Sequence, residues 1–252
     1  MGRIIRTLTL YQIADHLIDY RFHYPETAQY FSRFAVDKDP ALAGEIIPTS
    51  TTLQYMENLA ERNGWPQASH SPWNEYQALA SATSAALLPH GAFLFHSSGF
   101  VYQGKAIVCT GPSGIGKTTQ YAQWRRNYGD AVKIISGDMT AFVLRENEII
   151  VMPTAWNGKE NLHSDAFAPL GGIILLKQAE GNTIKRLQPA DSILPIYAQM
   201  CLSRTEPEQI TSALDALDRL LRRTPIWQMS SRGDLASARL CHDSIAGEIY
   251  GE

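Results

Sequence analysis

The sequence predicts an α/β protein in which a mixed β-sheet is flanked by helices. Three observations carry that reading. A short apolar run of strand type at 105–110 leads through the glycine-rich stretch 111–116 into a helical pattern that begins at Thr118. Further strand-type runs at 131–136 and 171–176 alternate with helical or irregular segments. In the C-terminal third, Ala213, Leu217, Leu220 and Leu221 recur at the spacing of one helix face. With 252 residues the chain can bury one substantial core, or one core with a small appendage.

Taken in order, residues 1–24 alternate weakly and suit one or two strands of an outer sheet, notably at 7–11 and 16–22. Residues 25–34 have the spacing of a short helix, residues 37–40 read as a turn, and a brief strand is expected at 45–47. Thr51 followed by Gln54 forms a capping-box pattern that opens a helix through Tyr55, Met56 and Leu59, stopping at Asn63-Gly64. The next helix starts after Ser71-Pro72 and carries Trp73, Tyr76, Leu79, Ala80, Thr83 and Leu87 on one side, a stripe read as core packing. Strands at 92–97 and 105–110 form a hairpin if Gln103-Gly104 is its tight turn. Tyr102 then faces Lys105, and counting outward places His96 opposite Gly111.

A buried strand at 131–136 ends in Gly137-Asp138. Residues 140–145 and 148–152 read as a hairpin turning at Glu146-Asn147. No periodicity follows from Pro153 to Pro169, a length that inside a compact domain marks a working or a disordered loop. Strands at 171–176 and 182–187, a helix after Pro189, another at 206–221, a strand at 225–229 and a last helix after Asp234 complete the chain. Residues 1–90 are thus an N-terminal α+β extension packed on or contributing to a core at 91–252.

Twenty-two basic against 25 acidic side chains give a formal net charge of −3, so nothing global attracts nucleic acid or an anionic membrane. The pairs Arg125-Arg126 and Arg222-Arg223 read as solvated helix faces. No apolar run approaches the roughly 18 residues of a membrane span, and the first residues lack the apolar stretch of a signal peptide. Cys109, Cys201 and Cys241 are odd in number, lack ligand spacing and sit in apolar segments, which suits buried free thiols and a cytoplasmic location.

The chemistry concentrates in Gly111, Pro112, Ser113, Gly114, Ile115, Gly116, Lys117, Thr118 and Thr119, which fit the P-loop pattern G-x-x-x-x-G-K-[ST]. Glycines let successive amides turn inward as an anion nest, the following helix directs its positive end to the same place, and Lys117 reaches the outer phosphates. Thr118 can then hold Mg²⁺. Asp138, just beyond the carboxyl end of a strand, falls where a second metal-holding carboxylate is needed. His96 is placed at the mouth of the loop by hairpin register. Lys159 and Glu160 lie in the aperiodic stretch, either closing over the γ-phosphate and acceptor or forming a solvated turn.

From Phe95 through Thr118, and again at Ile135-Ser-Gly-Asp138, the sequence resembles the catalytic core of the HPr kinase/phosphorylase family, which shares a phosphoenolpyruvate carboxykinase-type P-loop. The likeness is looser over 156–160 and 170–176 and leaves the first 90 residues unexplained. It implies ATP and Mg²⁺ as cofactors, residues 111–118 as the phosphate loop, Asp138 as the Mg²⁺ carboxylate and His96 beside the transferring phosphate. The bifunctional enzymes have two adjacent aspartates where this chain has Gly137-Asp138, and the first is their proton acceptor. Their base and phosphorylase activity therefore do not transfer, leaving the proton to His96, Glu160 or an acceptor-bound water. In size the chain resembles the compact members that tailor ribosomally made peptides, including lasso-peptide kinases.

The expectation is an ATP- and Mg²⁺-dependent kinase acting on a hydroxyl, foremost serine of a peptide or small protein. Lys117 and the loop amides would stabilise phosphate charge, Thr118 and Asp138 would hold the metal, His96 would polarise or deprotonate the acceptor, and Lys159 would serve as a mobile cation. A small-molecule kinase and a nucleotide-gated switch are the rival readings. A peptide predicts an open groove and a metabolite an enclosed pocket. Neither nucleic acid nor membrane is expected as a partner, and a homo-oligomer is left open.

Overall fold

The computed structural model describes residues 9–40, 44–64, 70–202 and 207–251. The strand expectation at residues 7 and 8 and the helix start at Glu206 lie outside them. Two mixed sheets and their helices make an α/β architecture. In the first sheet, β1 (Leu10–Ile13) and β2 (His16–Tyr20) form a hairpin through Ala14 and Asp15, both in the left-handed region. The sheet is completed by β3 (Ala35–Val36) and β4 (Ile46–Thr49), in the order β3-β1-β2-β4.

A 3-10 helix at Pro25–Phe34 and the helices α1 (Leu53–Arg62) and α2 (Pro72–Leu87) lie in the same part of the chain. Thr52, not Thr51, caps α1: its hydroxyl accepts from Tyr55 N at 3.1 Å. The Gln54 amide donates onward to Asn58 at 3.3 Å instead of reaching back, so the capping box does not close. Ser71 caps α2 through Asn74 N at 3.2 Å, and Pro72 enters the first turn, where its missing N–H costs nothing. Tyr76, Leu79, Ala80, Thr83 and Leu87 are buried as the stripe predicted. Trp73 departs from it and stays 38% exposed.

The second sheet is organised along β5 (Ala92–Tyr102). Its C-terminal half pairs antiparallel with β6 (Lys105–Thr110) in the expected register, from Tyr102↔Lys105 to Ser97↔Thr110. Gln103 and Gly104 both have positive φ, which matches a two-residue turn to the strand twist. After β6 come α3 (Lys117–Tyr128) and then β7 (Lys133–Ser136), β8 (Met139–Leu144) and β9 (Ile149–Met152). β7 lies against the C-terminal half of β5, and β8 against its N-terminal half, from Ala92↔Val143 to His96↔Met139. β10 (Ala168–Gln178) pairs parallel with β6, while its first residues pair antiparallel with β9. The ladders β5-β6-β10-β9-β8-β5 therefore close into a ring around Phe93, Phe95, Phe142, Val108, Val151 and Ile173.

Beyond the ring, β11 (Thr183–Arg186) and, after α4 (Pro189–Tyr197) and α5 (Pro207–Arg223), β12 (Ile226–Ser231) extend the sheet to the order β11-β12-β10-β6-β5-β8-β9. α6 (Leu235–Tyr250), capped by Asp234 onto Ser237 N at 2.8 Å, packs on α3 over Trp124, Cys109 and Cys241. All three thiols are free. Burial pushes Cys201 up to about 11 and Cys241 up to about 12, so neither is a nucleophile near neutrality.

The two sheets meet through α2. Its Glu75, fully buried, accepts from His23 N at 2.6 Å, Tyr24 N at 3.1 Å and Thr27 Oγ1 at 2.6 Å, the start of the 3-10 helix. Phe31 in that helix contacts Tyr76 and Trp156 edge-on, tying the N-terminal segment to the long loop after β9. Removing the carboxylate strands one buried and two part-buried donors at once. Glu75→Ala should lower unfolding stability by about 3 kcal/mol in urea titration, since each orphaned donor costs roughly 1 kcal/mol or more; a loss within experimental error would show that the cluster is replaceable by water.

Candidate active site

The site lies where β5 changes partners. His96 is the last residue paired to β8, β7 takes up the same edge only from Gly99, and β6 pairs the other edge from Ser97, so the pairing of β5 is interrupted there. β6 ends at Thr110 and β7 at Ser136, and the chain ends that follow them, Gly111 and Asp138, converge on His96. Two bonds fix the junction: Thr110 Oγ1 donates to His96 O at 2.6 Å, and Ser97 N donates to Asp138 O at 2.9 Å.

The stretch 111–116 forms a loop between β6 and α3, as the motif requires. Gly111, Gly114 and Gly116 all have positive φ. A Cβ at Gly111 would stand 3.3 Å from both the Ile115 side chain and Leu176 O, so only glycine lets the loop fold back on β10. Ile115 anchors the loop in the apolar cluster beneath α6, and Gln178 Nε2 donates to Gly114 O at 3.0 Å. No side chain caps α3, which begins at Gly116 in a left-handed conformation; its first amides are left for a ligand or water.

Lys117 is 6% exposed, and its Nζ donates to Gly111 O at 3.2 Å and Pro112 O at 3.3 Å. Its third neighbour is His96 Nε2 at 3.1 Å. Among the described residues no carboxylate lies within ion-pair distance of this ammonium. Burial pulls it below its ordinary value of 10.5, against the opposing pull of the more distant Asp138 charge. His96 Nε2 also lies 3.4 Å from Asp138 Oδ1, while Nδ1 faces Gln199 Oε1 at 3.3 Å. With Lys117 donating to Nε2, the pattern assigns the ring proton to Nδ1, where Gln199 accepts it.

The loop after β9 covers the other side. Trp156, 1% exposed, donates from Nε1 to Tyr76 O at 2.7 Å and stacks on Tyr76 at 5.8 Å, and its carbonyl accepts from Met139 N at 3.1 Å. The chain then passes over Gly137, whose N–H donates to Leu162 O at 2.8 Å. A Cβ at Gly137 would lie 3.0 Å from Leu162 Cβ and 3.2 Å from Asn157 O, so a side chain there would press on the covering loop. Gly158 sits directly on Asp138: its φ is +71°, and a Cβ would approach Asp138 Cβ to 2.9 Å. Glu160 Oε1 accepts from Thr118 Oγ1 at 3.3 Å.

These elements enclose a solvent-open cavity of about 420 Å³. Ser113, Gly114, Gly116, Lys117 and Thr118 line one side, and Asp138, Lys159 and Glu160 face them. Gly111, Pro112 and Ile115 hold the loop without lining the cavity, and Thr119 is exposed with its methyl group toward Gly233. Sequence reasoning missed Gln199, Asn157 and two residues of α2, Trp73 and Gln77, which form part of the wall. Gln199 lies 103 positions from its partner and carries no local signal. For Trp73, the signal was an aromatic at the first turn of a helix whose buried stripe is complete without it.

The donor set fits a polyphosphate with a divalent cation on two counts: a buried ammonium without a carboxylate partner, and an uncapped helix start beside it. Among the described residues no cluster of three His, Cys, Asp or Glu could hold a metal alone. No described helix is long and apolar enough to cross a membrane.

No family model and no curated protein matches the sequence. Among solved structures the chain is similar to the Hpr(Ser) kinase/phosphatase from Coxiella burnetii, at 11% identity over 60% of this chain and 95% of that one, with a TM-score of 0.37. At that score the likeness carries no function across.

Because folding lowers the Lys117 pKa, the unfolded chain binds more protons than the native one between the folded value and 10.5. Stability gains with rising pH across that window as the charge penalty fades. The stability of Lys117→Met relative to wild type should therefore shift in favour of wild type between about pH 7 and about pH 10 in urea melts. A difference that does not move with pH would mean that the ammonium is not desolvated.

Proposed function

We propose that the chain is a kinase that transfers the γ-phosphoryl group of ATP to a hydroxyl, foremost serine of a peptide or small protein. The observation that carries this reading is the meeting of Lys117, His96 and Asp138 at the end of a glycine-rich loop that leads into an uncapped helix. When bound, Mg²⁺·ATP supplies the phosphoryl group and the extra positive charge that such a transfer needs.

Lys117, itself buried, and the first amides of α3 would neutralise phosphate charge. Thr118 and Asp138 would hold the cation, with Asp138 Oδ1 turned to His96. His96 Nε2 would take the acceptor proton once Lys117 turns toward phosphate, and Asp138 Oδ1 would stabilise the imidazolium that results. Gln199 would keep Nδ1 protonated and the ring in place. Lys159 and Glu160, exposed on the covering loop, would approach the transferred group and the acceptor. With glycine at 137 supplying no carboxylate, His96, beside Lys117 and Asp138, would be the base.

The open cleft favours a long acceptor over an enclosed metabolite. It is bounded by the exposed residues 113–114 and 158–160, between which a chain can continue into solvent.

Incubation with Mg²⁺ and γ-labelled ATP, with and without serine-containing peptides, tests the reading by following label on peptide and free phosphate separately. Label should appear on peptide and fall by about a hundredfold or more in Lys117→Ala and Asp138→Asn. Label release to phosphate at a rate indifferent to every acceptor would overturn the kinase in favour of a nucleotide-gated switch.

A further inference from the structure

The cavity has one wall that phosphate chemistry does not explain. Trp73 and Gln77, one turn apart on α2, face it from the N-terminal segment. Neither is part of the phosphate loop or the covering loop.

Trp73 presents an exposed indole that is nonetheless held in position, edge-on to Tyr30 at 6.0 Å and against Tyr76 at 5.5 Å. Gln77 is half-buried, and among the described residues its side-chain amide has no hydrogen-bond partner. A fixed aromatic plane beside an amide with a free donor and a free acceptor is a recognition surface. The same helix carries Tyr76, whose phenolic oxygen donates to Ala155 O at 2.8 Å and whose ring stacks on Trp156, the residue from which the covering loop departs. The next residues of that loop lie on Asp138. Trp73 and Gln77 therefore stand on the Asp138 side of the cavity, across from Ser113 and Gly114 at the outward bend of the phosphate loop.

That placement decides which ligand they meet. A group on the Asp138 and His96 side is the one that presents a hydroxyl for phosphorylation, and the nucleoside would extend the other way. We propose that Trp73 and Gln77 form the acceptor subsite and bind a peptide. The Gln77 amide pairs with a main-chain amide next to the phosphorylated residue, and the Trp73 indole packs on the neighbouring side chain. An amide that both donates and accepts matches the peptide bond itself, and the open cleft lets the peptide run past the site in both directions. The N-terminal segment thereby sets substrate choice. The inference rests on the kinase reading above and adds the class and the reading residues of its acceptor.

The test uses full-length protein, a peptide library with a fixed central serine, γ-labelled ATP and a fluorescent ATP analogue. Trp73→Ala and Gln77→Ala should each raise the KM for the best library peptide about tenfold, the usual loss for a truncated aromatic or amide anchor, with kcat changed less. Analogue affinity should stay within about twofold of wild type. Gln77→Ala removes no hydrogen bond among the described residues, so its result stands even if Trp73→Ala unfolds. A loss of analogue affinity in both variants would overturn the proposal by placing the nucleoside on this wall. Unchanged peptide KM, or label on hydroxylated metabolites and on no peptide, would overturn it while leaving the kinase intact. If wild-type protein binds the analogue and labels no acceptor of either kind, the kinase reading fails with it.

Discussion

The partner exchange along β5 is the constraint on which the site depends. A strand has two hydrogen-bonding edges, and β5 changes neighbours along both: β8 leaves one edge after His96 and β7 takes that edge from Gly99, while β6 pairs the opposite edge from Ser97. Strands cannot diverge without exposing main-chain groups, and here those groups are taken up by Gln199, which accepts from His96 N at 2.9 Å, and by the Thr110 hydroxyl. The gap so created receives Lys117 from one side and Asp138 from the other. A continuous sheet would bury the histidine among its neighbours and leave no cavity.

Much of this was legible in the sequence because its carriers are local. The hairpin register from Gln103-Gly104 outward set His96 beside Gly111, since a two-residue turn leaves no freedom in the count. The motif at 111–118 likewise demanded a strand before it and a helix after it. The ring closure through β9 and β10 was not legible, because it pairs two residues, Ala168 and Pro169, at the end of an aperiodic segment. Nor was the part played by α2 in the site, for Trp73 follows the helical period of its buried neighbours. The position of a helix relative to a distant cavity is a tertiary property with no trace in periodicity. The capping of α1 by Thr52 in place of Thr51 is a smaller miss of the same kind: two adjacent threonines compete, and the backbone bend picks the second.

Lys117 illustrates how stability is given up at such sites. An ammonium at 6% exposure is held by carbonyl oxygens and an imidazole, with the Asp138 charge farther off. The surrounding fold has to hold it there. The apolar anchor of Ile115, the ring of ladders and the carboxylate of Glu75 contribute that rigidity from three directions, although none of them touches the cavity's ligand side.

The close packing around Gly137 also bears on how such a site can change over time. A carboxylate at this position would press its first carbon on Leu162 and the Asn157 carbonyl, so the covering loop would have to give way by a few tenths of an ångström. The loop in turn cannot lift off without releasing Gly158 from Asp138 and the Trp156 carbonyl from Met139. A substitution at 137 is therefore coupled through packing to the residues at 157 and 162.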